Sequence, residues 1–201
     1  MNITALLEKS MQDHDHLCPR QILGVRIGLA GMKALGFSEP PAKKELLVIV
    51  ETDGCFVDGI VAGTGCTVGH RTLRVEDYGK VAATFVSVTT SQAVRVAPRL
   101  DVRTRACSFL PEEPRHYFAQ LKAYQSMRDE EMLTIEEVIL LTPVDQLMSR
   151  PGIRVNCSQC GEEIINGREV ICDGNVLCRT CYGYGYYQQS LKCDISLFSV
   201  R

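Results

Sequence analysis

The 201-residue chain has no apolar run approaching the roughly 18 residues that a membrane-spanning helix needs. Its start, Met1-Asn2-Ile3-Thr4-Ala5-Leu6-Leu7-Glu8-Lys9, lacks a basic flank followed by a long apolar stretch. No secretion leader is read there, and the expected location is the cytoplasm. Neither sign of charge is in excess. The 22 basic and 24 acidic residues leave a net charge of −2, which argues against a chain organised wholly around nucleic acid. No internal repeat or low-complexity tract is evident either. What remains is 45% apolar, enough for a core.

Cysteine breaks this pattern of scarcity. Ten cysteines are far more than a core of this size requires. Without an export signal, pairs at Cys-x-x-Cys spacing read as metal ligands rather than disulfides. Cys157-Ser158-Gln159-Cys160-Gly161 is one such knuckle and Cys178-Arg179-Thr180-Cys181 is the other. Two intervening residues let both thiolates of a knuckle reach one ion, and four sulfurs complete a tetrahedral zinc shell. Asn166-Gly167 and Asp173-Gly174 are hairpin-type turns, so short strands are expected between the knuckles. A closed four-cysteine shell leaves no position for substrate, which makes this zinc structural. In so small a module the metal supplies much of the folding free energy. Cys172 reads as an ordinary packed thiol and Cys193 as a tail thiol.

Zinc fingers often bind nucleic acid, but Arg150 to Arg201 carries six basic and five acidic residues, a net +1. That is not the concentrated basic footprint that phosphates require. Tyr182, Tyr184, Tyr186 and Tyr187 are read as packing or protein-contact residues.

Upstream, Ile3 to Met11 places Ile3, Leu6, Leu7 and Met11 on one helical face. Pro19 fits the first turn of a second helix, because its missing N–H would have had no partner there. Gly36 fits that helix's C-terminal end. Gly24, Gly28 and Gly31 lie roughly along one side and imply close approach by another backbone. Glu45 to Thr52 reads as a buried strand, Phe56 to Ala62 as a short helix, and Leu73 to Val75 and Val81 to Val88 as strands. A further strand is expected near Ala93 to Val96 or Leu100 to Arg105. Glu112 to Met132 has a helical pattern, and Thr134-Ile135-Glu136-Glu137 has the form of a capping box opening a last short helix. Arg150-Pro151-Gly152 marks the expected boundary between a core domain over 1–150 and a zinc-finger domain over 151–201.

The chemistry-bearing cluster of the core is His14-Asp15-His16-Leu17-Cys18-Pro19. Three potential ligands at alternate positions project from one side of an extended segment. Cys18 falls where a helix begins, and the positive end of that helix favours a thiolate. Asp53-Gly54-Cys55 follows a strand, and Cys66 lies in a second glycine-rich stretch. His16, Cys18, Cys55, His14 and Cys66 are therefore candidate ligands for a second metal, or for a reactive-thiol site, in the core. Mixed nitrogen and sulfur donors suit zinc, iron, nickel or copper. Arg95, Arg99, Arg103 and Arg105 form a basic run that reads as a solvated strand face or, less simply, an anion contact.

Residues 14–36 (HDHLCPRQILGVRIGLAGMKALG) and 51–85 (ETDGCFVDGIVAGTGCTVGHRTLRVEDYGKVAATF) resemble the family of the formylmethanofuran dehydrogenase E-subunit. The family's C-terminal zinc finger is similar to CSQCG at 157–161 with CRTC at 178–181. The resemblance implies an α+β fold: a mixed core domain of helices and an antiparallel-rich sheet, with a small C-terminal treble-clef zinc finger, in an intertwined homodimer. It also implies a core metal site on His16, Cys18 and Cys55. The family takes its name from a system that fixes carbon dioxide as a formyl group on methanofuran. There the E-subunit looks accessory, with tungsten or molybdenum chemistry on other subunits. The functional expectation is a metal-binding accessory or regulatory protein, not catalytic alone, with a larger oxidoreductase complex as a possible partner. Two alternatives stay open: a thiol- or metal-dependent redox enzyme component using Cys18, Cys55 and His16, and a zinc-finger nucleic-acid-binding regulator.

Overall fold

The computed structural model describes residues 2–12, 14–148, 150 and 152–187, and Cys193 lies outside them. The chain divides into two compact units, 1–144 and 145–201. Among the described residues no helix is long and apolar enough to cross a membrane.

The first unit is an α+β core. Helix α1 (Ile3–Ser10) is capped by Asn2, whose side chain accepts the Thr4 N–H. Helix α2 (Pro19–Ala34) buries residues on nearly every side, among them Ile22, Val25, Ile27 and Met32, as befits a helix covered all round. It stops at Leu35, and Gly36 follows at φ +82°, the left-handed C-terminal position expected of it.

Strand β1 (Leu46–Val50) leads through helix α3 (Cys55–Thr64) to strand β2 (Leu73–Val75), which returns parallel to β1. Strands β3 (Ala83–Ser87) and β4 (Ala93–Pro98) add antiparallel partners, and β5 (Leu133–Glu137) closes the order β2-β1-β3-β4-β5. Val48, Val50, Phe85 and Val96 of this sheet join Ile22, Ile27 and Met32 of α2 in one buried cluster with Phe56 and Ile60 of α3. Helices α4 (Val102–Phe109), α5 (His116–Ser126) and α6 (Asp129–Met132) lie between β4 and β5 in the chain.

One local reading of the sequence is corrected here, and one left open between two places is decided. Thr134 to Glu137 forms strand β5, not a helix start, because Thr134, Ile135, Glu136 and Glu137 pair with Ala97, Val96, Arg95 and Val94 of β4. Of the two places expected for a further strand, Ala93 to Val96 carries it, as β4, and Leu100 to Arg105 runs into α4. The basic run is accordingly split between β4 and α4. Arg95 forms a two-pronged ion pair with Glu51, at 2.6 and 2.8 Å, while Arg99 and Arg105 pair with Asp101.

The second unit holds two antiparallel hairpins, β6 (Arg154–Asn156) with β7 (Glu163–Ile165), and β8 (Val170–Cys172) with β9 (Asn175–Leu177). Asp173-Gly174 turns the second hairpin with both residues at positive φ, the two-residue geometry its sequence demands. A wide helical turn, Thr180–Tyr184, follows and is kinked at Gly183.

Candidate metal centre and thiol site

In the second unit the first knuckle lies between β6 and β7, and the second begins directly after β9. This layout brings Cys157, Cys160, Cys178 and Cys181 together, with all four sulfurs within 4.8 Å of one another. An ion about 2.3 Å from each sulfur sets them about 3.8 Å apart, so a small contraction completes a tetrahedron. Main-chain amides already face the sulfurs: the Cys178 N–H donates to Cys157 Sγ and the Cys181 N–H to Cys178 Sγ, each at 3.3 Å.

The amides of Cys160 and Cys178 bring the Cys157 thiol down to about 6, favouring the thiolate. Cys181 is pushed up to about 12, first by sharing a hydrogen bond with Cys178. Cys157 thus takes a negative charge readily, while Cys181 resists one until a cation offsets it, which is the donor chemistry of a thiolate metal site. The arrangement is compatible with a zinc finger. Cys172 stands apart, half-buried beside Asp173. Tyr182 and Tyr184 stack edge to face at 5.0 Å, while Tyr184 and Tyr186 remain largely exposed.

In the first unit the decisive feature is how α2 and α3 meet. Gly24 lies against Gly59 and Gly28 against Gly63, so two Gly-x-x-x-Gly faces run in register and in the same direction. A Cβ on Gly24 would fall against the Phe56 carbonyl oxygen and within 2.9 Å of Gly59 Cα. Close approach by another backbone is therefore real at two of the three glycines noted in the sequence. At the third, Gly31, the neighbour is the Phe85 ring. Since both helices point the same way, both begin at the same end. Cys18 is the N-cap of α2 and Cys55 the first residue of α3.

The Cys55 thiol there is pushed up by burial first and then by the neighbouring Cys18. Cys18 occupies a cap position usually held by serine or threonine. Its Sγ accepts the Gln21 N–H at 3.4 Å, and Gln21 Oε1 accepts the Cys18 N–H at 2.8 Å. Gln21, fully buried, also donates to the Ser10 carbonyl at 2.8 Å, tying the end of α1 to the start of α2. The turn that delivers Cys55 is held by Glu51, whose carboxylate binds Arg95 and whose carbonyl accepts the Tyr78 and Lys80 amides.

His14 Nε2 lies 2.8 Å from Asp58 Oδ2, one turn into α3, beside a recess that Lys9 and Gln12 also line. His16 is exposed on the segment between His14 and Cys18. Cys66 is elsewhere. It follows the far end of α3, some 15 Å along the helix from Cys55 by helical rise, buried with its thiol toward the Leu46 carbonyl at 3.7 Å. Among the described residues, the distal cysteines are the one group of three or more whose ligand atoms can share an ion. The structure thus brings Cys18 and Cys55 together and sets His14 beside α3, without closing a shell around them. Two supporting residues escaped the sequence reading. Asp58 carried the signal of an acid in a first helical turn, and Gln21 that of a capping box with cysteine in the hydroxyl's place.

Three comparisons bear on this geometry. The family model FmdE, described as "Molybdenum formylmethanofuran dehydrogenase operon", matches residues 13–149. A probable S-adenosyl-L-methionine-binding protein of Archaeoglobus fulgidus is 38% identical over 97 residues, which is 47% of this chain and 26% of that protein. The chain therefore spans about a quarter of that relative's length. A crystal structure of a tungsten formylmethanofuran dehydrogenase FmdE-like protein from Syntrophus aciditrophicus superposes with a TM-score of 0.58 at 23% identity. That superposition covers 94% of this chain and 96% of the other, and it carries the fold.

Proposed function

Because the chain belongs to the FmdE family, we propose that it is a metal-binding accessory or regulatory protein. In this reading the four distal cysteines hold a structural zinc. The shared end of α2 and α3 holds a second metal or a small ligand through Cys18 and Cys55, with His16 or His14 as nitrogen donors. The single observation that carries the core site is the meeting of two cysteines at two helix starts that point the same way. Both helix starts direct positive partial charge toward the same place, which favours anionic ligands. A bound metal there would supply Lewis acidity or electron transfer, and the chain's own residues would position it.

The cytoplasm is the proposed location and a homodimer the proposed assembly. The outer edge of β5 has no strand partner among the described residues. Beyond it Ile139 and Leu141 are 95% and 102% exposed, apolar surface of the kind that association covers. The balanced charge of the second unit speaks against nucleic acid as the partner.

The test is metal content per chain in natively purified protein, wild type beside Cys18→Ser. Two ions falling to one supports the core site with the distal zinc intact. One ion in both proteins removes the metal form of the core site. Calorimetric titration of the wild type with S-adenosyl-L-methionine decides whether the ligand named for the Archaeoglobus relative carries over.

A further inference from the structure

We propose that Cys18 and Cys55 are a reversible oxidation site: a small-molecule disulfide such as glutathione disulfide converts them into an intrachain disulfide that closes the start of α2 onto the start of α3. Four cysteines lie in the first unit, at 18, 55, 66 and 107. Cys66 is buried at the opposite end of α3, and Cys107 sits on α4. Only Cys18 and Cys55 are placed at one end of the helix pair, by the in-register contact of Gly24 with Gly59 and Gly28 with Gly63, near enough for Cys18 to raise the Cys55 thiol.

Both are partly accessible to a reagent. Both also sit at a helix boundary rather than inside a helix. Cys18 is an N-cap in extended conformation (φ −119°, ψ 157°), its carbonyl taking the first hydrogen bond of α2 from the Ile22 N–H. Cys55 follows Gly54 at φ +73°, a conformation that an ordinary side chain rarely adopts. Disulfides need their Cα atoms about 4.4–6.8 Å apart, and the backbone-to-backbone packing of α2 on α3 sets the two helix starts at the same end of the pair.

The chemistry balances as two exchange steps. The thiolate of one cysteine attacks a sulfur of the glutathione disulfide, forming a mixed disulfide and releasing one glutathione thiolate, which takes up the proton the attacking cysteine gave up. The second cysteine, as thiolate, then attacks the protein-bound sulfur, forming the Cys18–Cys55 bond and releasing the second glutathione. The two cysteines lose two electrons, and one glutathione disulfide becomes two glutathione thiols. Because the sulfurs that bond to each other can no longer act as thiolate ligands, oxidation would also empty the core site. That consequence rests on the metal-binding reading above, whereas the cross-link itself does not.

The experiment treats zinc-loaded full-length protein with glutathione disulfide. It follows three readouts: total thiols after denaturation with chelator, proteolytic peptides under non-reducing conditions, and metal per chain. The proposal expects the thiol count to fall by two, a peptide joining the Cys18 and Cys55 segments within one chain, and full reversal by a thiol reductant. Cys55→Ser should instead keep glutathione on Cys18 as a stable adduct. Should Cys55→Ser fail to fold, the wild-type peptide map decides alone. A lasting glutathione adduct on wild-type Cys18, a cross-link through Cys66 or Cys107, or unchanged thiols would each overturn the proposal. Metal reports separately. Loss of one of two ions on oxidation supports the regulatory consequence. A single ion before oxidation sinks the core-metal reading and that consequence, and leaves the cross-link to the peptide map.

Discussion

Replacing Gly24 by alanine should destabilise the first unit by about 2–3 kcal/mol, although alanine is the better helix former by about 1 kcal/mol. The reason is what the new methyl meets. Non-bonded carbons pack at about 3.5–4.0 Å, yet this Cβ would stand 2.9 Å from Gly59 Cα, 3.0 Å from Ile60 N and closer still to the Phe56 carbonyl oxygen. All three are main chain, and none can rotate away. The helices must part by about 1 Å, a gap that forfeits a quarter to a half of each dispersion contact along the interface. Overpacking of this kind costs about 1–3 kcal/mol or more, and the immovable obstacles place Gly24→Ala at the upper end.

Gly28→Ala is the internal control. Its nearest obstacle is the Thr64 side-chain methyl at 3.1 Å, with Gly63 Cα an ordinary 3.7 Å away, so the change should stay within about 1 kcal/mol of zero. Thermal unfolding followed by circular dichroism reads both, at about 2–4 °C per kcal/mol for a chain of this size. If Gly24→Ala melts with the wild type, or if the two variants behave alike, backbone contact does not set the helix spacing and the account of the thiol site loses its foundation.

Other consequences can be checked in the same preparations. Arg26 donates to Asp129, to the Tyr124 carbonyl and to the Met127 carbonyl at 2.6–3.1 Å, so Arg26→Met should cost about 2–4 kcal/mol in urea unfolding. Arg26→Lys should recover little of it, since one ammonium cannot span those acceptors. The Tyr124 hydroxyl is buried with no hydrogen-bond partner among the described residues, and burial pushes its acidity out to about 12. Tyr124→Phe should therefore be neutral or stabilising by about 1 kcal/mol, and a clear loss would point to a bound water holding that oxygen. In metal-free protein, one thiolate should appear in the ultraviolet near pH 6, from Cys157. Its folded value lies below the ordinary thiol value of 9.0, so its stabilisation is full above that value and is lost as pH falls through about 6. Protons released per zinc should correspondingly decrease as pH rises through about 6, and a release that does not vary with pH would refute the assignment.

What could be read from residues alone follows the reach of the forces involved. Pro19, Gly36 and the Asp173-Gly174 turn act within a few residues, so α2, its end and the β8-β9 hairpin were legible. The four-cysteine centre was legible for the same reason, since each knuckle is a local geometry. Thr134-Ile135-Glu136-Glu137 has the local form of a helix start, but its ladder to β4 is long-range and wins. Thr134 even hands its hydroxyl to the Ala97 carbonyl at 3.3 Å. The core candidates divide along the same line. The motifs located Cys18 and Cys55 separately, while their placement at one end depends on glycines 24, 28, 59 and 63, whose pairing across two helices no local pattern announces. That Cys66 lies a helix-length away is likewise a fact of α3 as a rod, invisible when its two ends are read as adjacent text.

The glycine seam has one more consequence, for how such a protein can diverge. Side chains come in steps, and nothing lies between the hydrogen of glycine and the methyl of alanine. The distance between the starts of α2 and α3 cannot be tuned gradually by substitution along the seam: it is kept, or it is lost in one jump. Variation is left to what stands at the helix starts, where cysteine, histidine or another donor can be exchanged at fixed spacing. The seam acts as a ruler, and the chemistry is whatever is written at its zero mark.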